Sequence, residues 1–185
     1  MMKRLKQFSQ ALILGTLALG VGTSGANSPS AQAIQFSDGR TSFGVPFQLS
    51  EARTSQASVR FRGATYYFTF DLPKTATQPL HRVKIRQKGG SLVEFNGRRT
   101  LAYLNREPKQ NCQLGEVKVN SKNQEVDLVF DTPIQPGQTV TVGLGPFENP
   151  SASGIYKFGV TAFPEGDKPQ EQFLGYGPLR FFDAR

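Results

Sequence analysis

Ser58-Val59-Arg60-Phe61-Arg62-Gly63-Ala64-Thr65-Tyr66-Tyr67-Phe68-Thr69-Phe70 is the stretch that decides the fold. Aromatic and β-branched residues dominate it, as they do in half-buried strands. Tyr66, Phe68 and Phe70 share one parity, while Val59 and Phe61 share the other. Strand side chains alternate with period two, so a change of parity within one strand predicts a bulge or sharp bend near Gly63. Asp71-Leu72-Pro73 ends the run.

The same alternation recurs on both sides of this stretch. Residues 81–88 place Val83 and Ile85 on one face and Arg82, Lys84, Arg86 and Lys88 on the other. A short strand is expected over residues 92–95. Asn96-Gly97 has the composition of a type I′ hairpin turn leading into residues 100–104. Residues 114–119 and 125–130 form a second hairpin around the turn-rich residues 120–124. Residues 139–144 point Val140, Val142 and Leu144 inward and Thr139 and Thr141 outward. Residues 155–163 put Tyr156, Phe158, Val160 and Ala162 on one face. Residues 173–182 form a closing strand interrupted by Gly175, Gly177 and Pro178. Residues 34–57 form an irregular lead-in, with short edge strands at Gln35-Phe36 and residues 41–49 and a polar loop over 50–57.

No segment carries a convincing amphipathic helix. The expectation is an all-β, immunoglobulin-like antiparallel sandwich of about seven to nine strands. It is preceded by a leader. Residues 1–10 hold Lys3, Arg4 and Lys6 and no acid, residues 11–22 are apolar, and Ala31-Gln32-Ala33 offers small residues at a cleavage site. The apolar run is shorter than the roughly 18 residues that span a bilayer. Residues 1–33 are expected to be a cleaved secretory signal peptide and residues 34–185 one domain without a transmembrane segment. The expected destination is the periplasm or the extracellular medium.

Charge is unevenly distributed. The chain has 22 Lys and Arg against 14 Asp and Glu. Residues 82–109 hold eight of the basic residues and only two acids, Glu94 and Glu107. Such clustering predicts a basic face. Arg82, Lys84, Arg86 and Lys88 form its core, about 6.5–7 Å apart along one strand face, and Arg98 and Arg99 are expected to join it. Its expected partners are anionic polysaccharide, lipid head groups or an acidic envelope protein. The plain alternative is solubility and protection of a sheet edge. Export disfavours nucleic acid.

Chemistry is harder to find. His81 is the only histidine, and metal sites need several ligands together. The copper-site pattern of exported sandwiches is absent from residues 34–38. Cys112 is the only cysteine, so no internal disulfide can form; a small buried residue is the expectation, and an intermolecular bridge the alternative. Glu125, Asp127 and Asp131 lie around one strand, and Glu165, Asp167 and Glu171 share a loop. Solvated strand faces explain both sets. The rival reading, a carboxylate-based hydrolase of envelope polysaccharide, requires two of these acids close together in a cleft. A third reading is a subunit of an envelope assembly. No catalytic residue, metal site or cofactor is assigned. The aromatics Phe163, Phe173, Tyr176, Phe181 and Phe182 either fill the core or, if exposed together, form a carbohydrate- or protein-binding patch.

Three segments carry a family resemblance. The first is Gly63-Ala64-Thr65-Tyr66-Tyr67-Phe68-Thr69-Phe70-Asp71-Leu72-Pro73. The second is Thr139-Val140-Thr141-Val142-Gly143-Leu144 with Asn149-Pro150. The third runs from Gly154-Ile155-Tyr156-Lys157-Phe158 through Phe163-Pro164-Glu165-Gly166 to Phe173-Leu174-Gly175-Tyr176-Gly177. The chain resembles the cyanobacterial domain-of-unknown-function family 2808 over nearly all of residues 34–185. That resemblance implies an exported, uncharacterised envelope protein and supplies no catalytic or binding residues. The combined expectation is a non-catalytic binding or structural module.

Overall fold

The computed structural model describes residues 39–183. The expected leader and the expected strand at Gln35-Phe36 lie outside them. Nine strands follow in chain order: β1 (Leu49–Thr54), β2 (Tyr66–Asp71), β3 (Leu80–Lys88), β4 (Leu101–Leu104), β5 (Leu114–Asn120), β6 (Glu125–Ile134), β7 (Thr139–Leu144), β8 (Gly154–Pro164) and β9 (Gln172–Phe181). They build two antiparallel sheets, ordered β1-β2-β7-β4 and β5-β6-β3-β8-β9.

That order identifies the architecture. Taken in sequence, β1, β2, β3, β4, β7, β8 and β9 occupy the seven strand positions of a constant-type immunoglobulin sandwich, four in one sheet and three in the other. The β5–β6 hairpin is inserted between the fourth and fifth of these and extends the second sheet beside β3. Tyr156, early in β8, reinforces the assignment. Its hydroxyl donates to the Ala152 carbonyl at 3.0 Å, four residues upstream, as the corner tyrosine of such domains bonds back to its own loop.

Alternation explains the core. Tyr66, Phe68 and Phe70 of β2 and Val140, Val142 and Leu144 of β7 are buried, as are Val83 and Ile85 of β3, Val126, Leu128 and Phe130 of β6, and Tyr156, Phe158, Val160 and Ala162 of β8. The two layers meet through rings: Phe68 and Phe158 lie 5.7 Å apart and Tyr66 and Phe181 5.5 Å apart. Edge-to-face and tilted pairs at such distances add to the energy of burial.

Five local expectations are corrected. The sharp bend expected near Gly63 is present, but it precedes a strand instead of interrupting one: β2 starts at Tyr66, and Arg60 and Gly63 turn the preceding chain with φ of 54° and 99°. Residues 50–57, expected as a loop, are largely β1, a half-buried edge strand paired with β2. Its neighbour supplies the register that its polar composition hides. Residues 41–49 form no strand before Leu49; Phe43 and Phe47 instead plug the core from a loop. Residues 92–95 are also outside the strands, although Val93 and Phe95 are buried. Finally, Asn96-Gly97 opens a turn of 3-10 helix, Gly97–Arg99, in which Asn96 Oδ1 accepts from Arg98 N. An Asn side chain that caps the next amides competes with the hairpin conformation.

Candidate functional site

The site lies on the outer face of the five-stranded sheet, and β3 is its central strand. Antiparallel register sets what flanks each basic side chain. Arg82 lies opposite Val129 of β6 and Phe163 of β8, Lys84 opposite Asp127 and Thr161, Arg86 opposite Glu125 and Gly159, and Lys88 opposite Lys157. The four side chains of the expected row therefore do share one face, but their surroundings differ.

Arg82 is engaged within the sheet. Its guanidinium stands 3.7 Å from the centre of the Phe163 ring, and Nη1 donates to Asp127 Oδ2 at 3.1 Å. Lys84 reaches Glu125 at 3.6 Å and also leans over Phe163. Among the described residues Arg86 donates only to the Asn123 carbonyl, at 3.2 Å. Arg86 and Lys88 are exposed and have no ion pair among the described residues. The row divides into an inner half that holds the sheet together and an outer half that offers free cations.

Arg98 and Arg99 do not join it. The 3-10 turn that carries them packs Gly97 against Val117 and Val119 on the inward side of β5. Arg99 donates to the carbonyls of Pro146 and Ala64, both at 3.0 Å. It ties together loops at the four-stranded sheet. The Asn96-led turn explains the separation: a hairpin at Asn96-Gly97 would have returned the chain along its own path, whereas the helical turn carries it to the other layer.

Beside the free cations the sheet surface dips. β8 presents only Gly159 and Thr161 there, between long side chains on β3 and large rings on β9. The resulting trough has a volume of about 330 Å³ and is lined by Lys84, Arg86, Lys88, Glu125, Thr161 and Glu171, with Phe173 and Tyr176 along one side. Phe173 and Tyr176 are 53% and 51% exposed, and their rings meet edge-on at 5.1 Å.

The other aromatics of the C-terminal stretch separate. Phe181 is in the core, Phe163 is buried beneath Arg82 and Lys84, and Phe182 is exposed past the end of β9. Of the six acids, Glu125 and Asp127 are taken up by Lys84 and Arg82, and only Glu125 and Glu171 line the trough. Among the described residues no three His, Cys, Asp or Glu side chains group as metal ligands. Half-buried Cys112 lines a separate, largely apolar hollow of about 420 Å³ with Leu104, Pro133 and Ile134. Burial pushes its thiol above the usual thiol range.

An immunoglobulin-like sandwich with an open, partly aromatic and partly cationic outer face is the class these features define. The chain belongs to the family described as "Protein of unknown function (DUF2808)", whose model matches residues 40–181. No curated protein matches it. Among solved structures, the chain is similar to the collagen-binding domain of a Staphylococcus aureus adhesin, at 6% identity and a TM-score of 0.42, over 74% of this chain and 97% of that one. It is also similar to the collagen-binding subdomain of the Enterococcus faecalis surface protein ACE, at 8% identity and 0.41, over 74% and 97%. The full-length major pilin SpaD of Corynebacterium diphtheriae gives 9% identity and 0.45, over 69% of this chain and 34% of that one. Likeness at this level carries no argument about ligand. Among the described residues no helix is long and apolar enough to cross a membrane.

Proposed function

We propose that the chain is an exported, non-catalytic binding module of the cell envelope, periplasmic or extracellular, whose outer five-stranded face contacts anionic envelope material. The observation that carries this reading is the position of Arg86 and Lys88: two exposed cations, without ion pairs among the described residues, at the rim of an open trough. Exposed charge attracts anions over a screened range of about 8–10 Å at physiological salt, so such contact weakens as salt rises. The reading is tested by co-sedimentation of residues 34–185 with isolated envelope material, with and without Arg86→Ser/Lys88→Ser. Arg82 and Lys84 are left in place because they brace the sheet. Retention that falls with salt and with the double substitution supports the proposal. Equal retention of both proteins, or retention indifferent to salt, overturns it.

A second reading, a subunit of an envelope assembly, is favoured by one observation. Phe61, Leu92 and Phe147 are exposed on linked loops, with Asn149 N bonded to the Phe61 carbonyl and Phe147 N to the Glu94 carbonyl. Apolar residues exposed together mark contact surfaces. Sedimentation velocity on cell extract, comparing the chain with Phe61→Ser/Phe147→Ser, decides this: a complex lost with the substitutions supports it, and a monomer in both cases removes it.

A further inference from the structure

Phe173 and Tyr176 are three residues apart, and in a regular strand they would point to opposite sides of the sheet. In β9 they point the same way. The register slips between Val160 and Thr161: Thr161 faces Phe173, yet Val160 faces Gly175 and Gly159 faces Tyr176. The extra residue is absorbed around Gly175, whose φ is +120°. Leu174, between them, is buried in the core. A bulge of this kind re-aims side chains at a sheet edge, and β9 is an edge strand. Here it sets two large rings side by side on the outer face instead of burying one of them.

The floor beneath the rings is fitted to them. A Cβ on Gly159 would come within 3.2 Å of both Phe173 Cε2 and Tyr176 Cε1. The pair therefore rests against bare backbone while about half of its area stays in water. Across the trough stand Arg86 and Lys88, two strands and about 9.5 Å of sheet away. The Thr161 hydroxyl of β8 lies between them, and two carboxylates, Glu125 at the start of β6 and Glu171 just before β9, also line the trough.

Building on the reading above, we infer that this trough holds an acidic sugar residue of a polysaccharide, its ring against Phe173 and Tyr176 and its carboxylate or sulfate on Arg86 and Lys88. The chemistry selects among anionic ligands. A pyranose offers an apolar C–H face, hydroxyls and an acid group on one rigid frame, and the trough offers rings, hydrogen-bonding oxygens and cations in matching positions. Glu125 and Glu171 are acceptors for sugar hydroxyls, while they would repel the dense phosphates of an anionic bilayer. A phosphate or a run of acidic peptide would use the cations and leave the aromatic pair without a role. A volume near 330 Å³ falls within the range of small-ligand sites.

Calorimetric titration of residues 34–185 tests this with polygalacturonate, alginate and dextran sulfate, with methyl-esterified polygalacturonate and dextran as uncharged counterparts, and with phosphatidylglycerol vesicles and polyglutamate as other anions. At least one acidic polysaccharide is expected to bind, about ten-fold or more tighter than its uncharged counterpart. Phe173→Ala/Tyr176→Ala and Arg86→Ser/Lys88→Ser are each expected to weaken it by about ten-fold, with melting temperatures near that of the parent. Gly159→Val, which leaves both rings in the chain but lifts them, is expected to do the same. The inference is overturned if no acidic polysaccharide binds, or if vesicles or polyglutamate bind more tightly. It is also overturned if the aromatic variant binds as well as the parent; loss on the cationic variant alone would leave the envelope-contact proposal standing without the sugar. Binding unaffected by the cationic variant would sink both.

Discussion

Tyr66 and Asn149, 83 residues apart, meet in a buried hydrogen bond of 2.9 Å from the Tyr66 hydroxyl to Asn149 Oδ1. Asn149 is fully used. Its Nδ2 donates to the carbonyls of Gln56 and Ser58 at 2.9 and 2.8 Å, and its backbone N–H donates to the Phe61 carbonyl. One side chain thus fastens the loop after β7 to the loop before β2. Tyr66→Phe leaves Oδ1 buried without that donor and is expected to cost about 1–3 kcal/mol; Asn149→Leu, which abandons all three side-chain bonds, costs more. Denaturant melts of the two variants check the order. Burial, with Tyr156 as a lesser cause, pushes the Tyr66 hydroxyl far above the ordinary tyrosine range. A group whose folded pKa is raised stabilises fully below its unfolded pKa and loses that contribution as pH rises through the folded one. Stability is therefore expected to fall above about pH 10, and to fall less steeply in Tyr66→Phe. Identical alkaline slopes would contradict this.

Gly177 and Ala52 fix how the two edge strands β9 and β1 approach. An ideal Cβ on Gly177 would lie 2.6 Å from Ala52 Cβ and 3.1 Å from both Leu49 Cδ2 and Phe68 Cε1. Its conformation is ordinary, so the constraint is space alone. Gly177→Val is expected to cost about 1–3 kcal/mol by overpacking. Pairing it with Ala52→Gly should recover part of the loss, which a double-mutant cycle in urea would measure. A strictly additive pair would rule out the contact as the cause.

Much of this architecture was legible in the alternation of side chains. β3, β7 and β8 show one apolar face each, and the turn-rich residues 120–124 announce the β5–β6 hairpin. The basic row on β3 was equally open to reading, because parity alone sets its face. What parity cannot give is partnership across strands. Nothing local shows that Asp127 and Glu125 lie opposite Lys84 and Arg86, so the division between braced and free cations emerges only from register. The aromatic pair was hidden for a related reason. Its spacing of three places Phe173 and Tyr176 on opposite faces unless a residue is absorbed between them, and Gly175 was the only hint of that. β1 escaped because an edge strand with a half-exposed, polar sequence looks like a loop until its partner is known. The misplacement of Arg98 and Arg99 came from two uses of asparagine, one in a tight hairpin and the other as a cap.

Arg82 and Phe163 make the braced half of the row a stability element. The guanidinium covers the ring at 3.7 Å and bonds Asp127, whose other oxygen, Oδ1, is buried and has no partner among the described residues. Arg82→Ala uncovers the ring and strips the carboxylate of its counter-charge; a loss of about 1–2 kcal/mol is expected. Arg82→Lys keeps the charge but not the planar stack, and falls between. Arg86→Ser and Lys88→Ser are expected to stay within about 0.5 kcal/mol of the parent. Thermal melts of the four variants separate the two halves, and a fall as large for Lys88→Ser as for Arg82→Ala would refute the division.

Cys112 gives the last test, at the opposite sheet edge. Its backbone N–H bonds the Ala102 carbonyl at 2.8 Å, and the side chain packs half-buried against the core. Burial favours the neutral thiol, and the thiolate is the species that reacts. Alkylation by iodoacetamide at pH 8 is expected to be several-fold slower in the folded protein than in 6 M guanidinium. The folded rate should continue to rise at pH values where the unfolded rate has levelled. Because the raised thiol pKa belongs to the folded state, its contribution to stability is complete below the ordinary thiol value of about 8.5 and declines as pH climbs beyond it. Cys112→Ala removes that decline and trades it for a small cavity beside Leu104 and Ile134. Rapid labelling of the folded protein at neutral pH would show that the hollow is open to reagent and that the thiol is not held neutral.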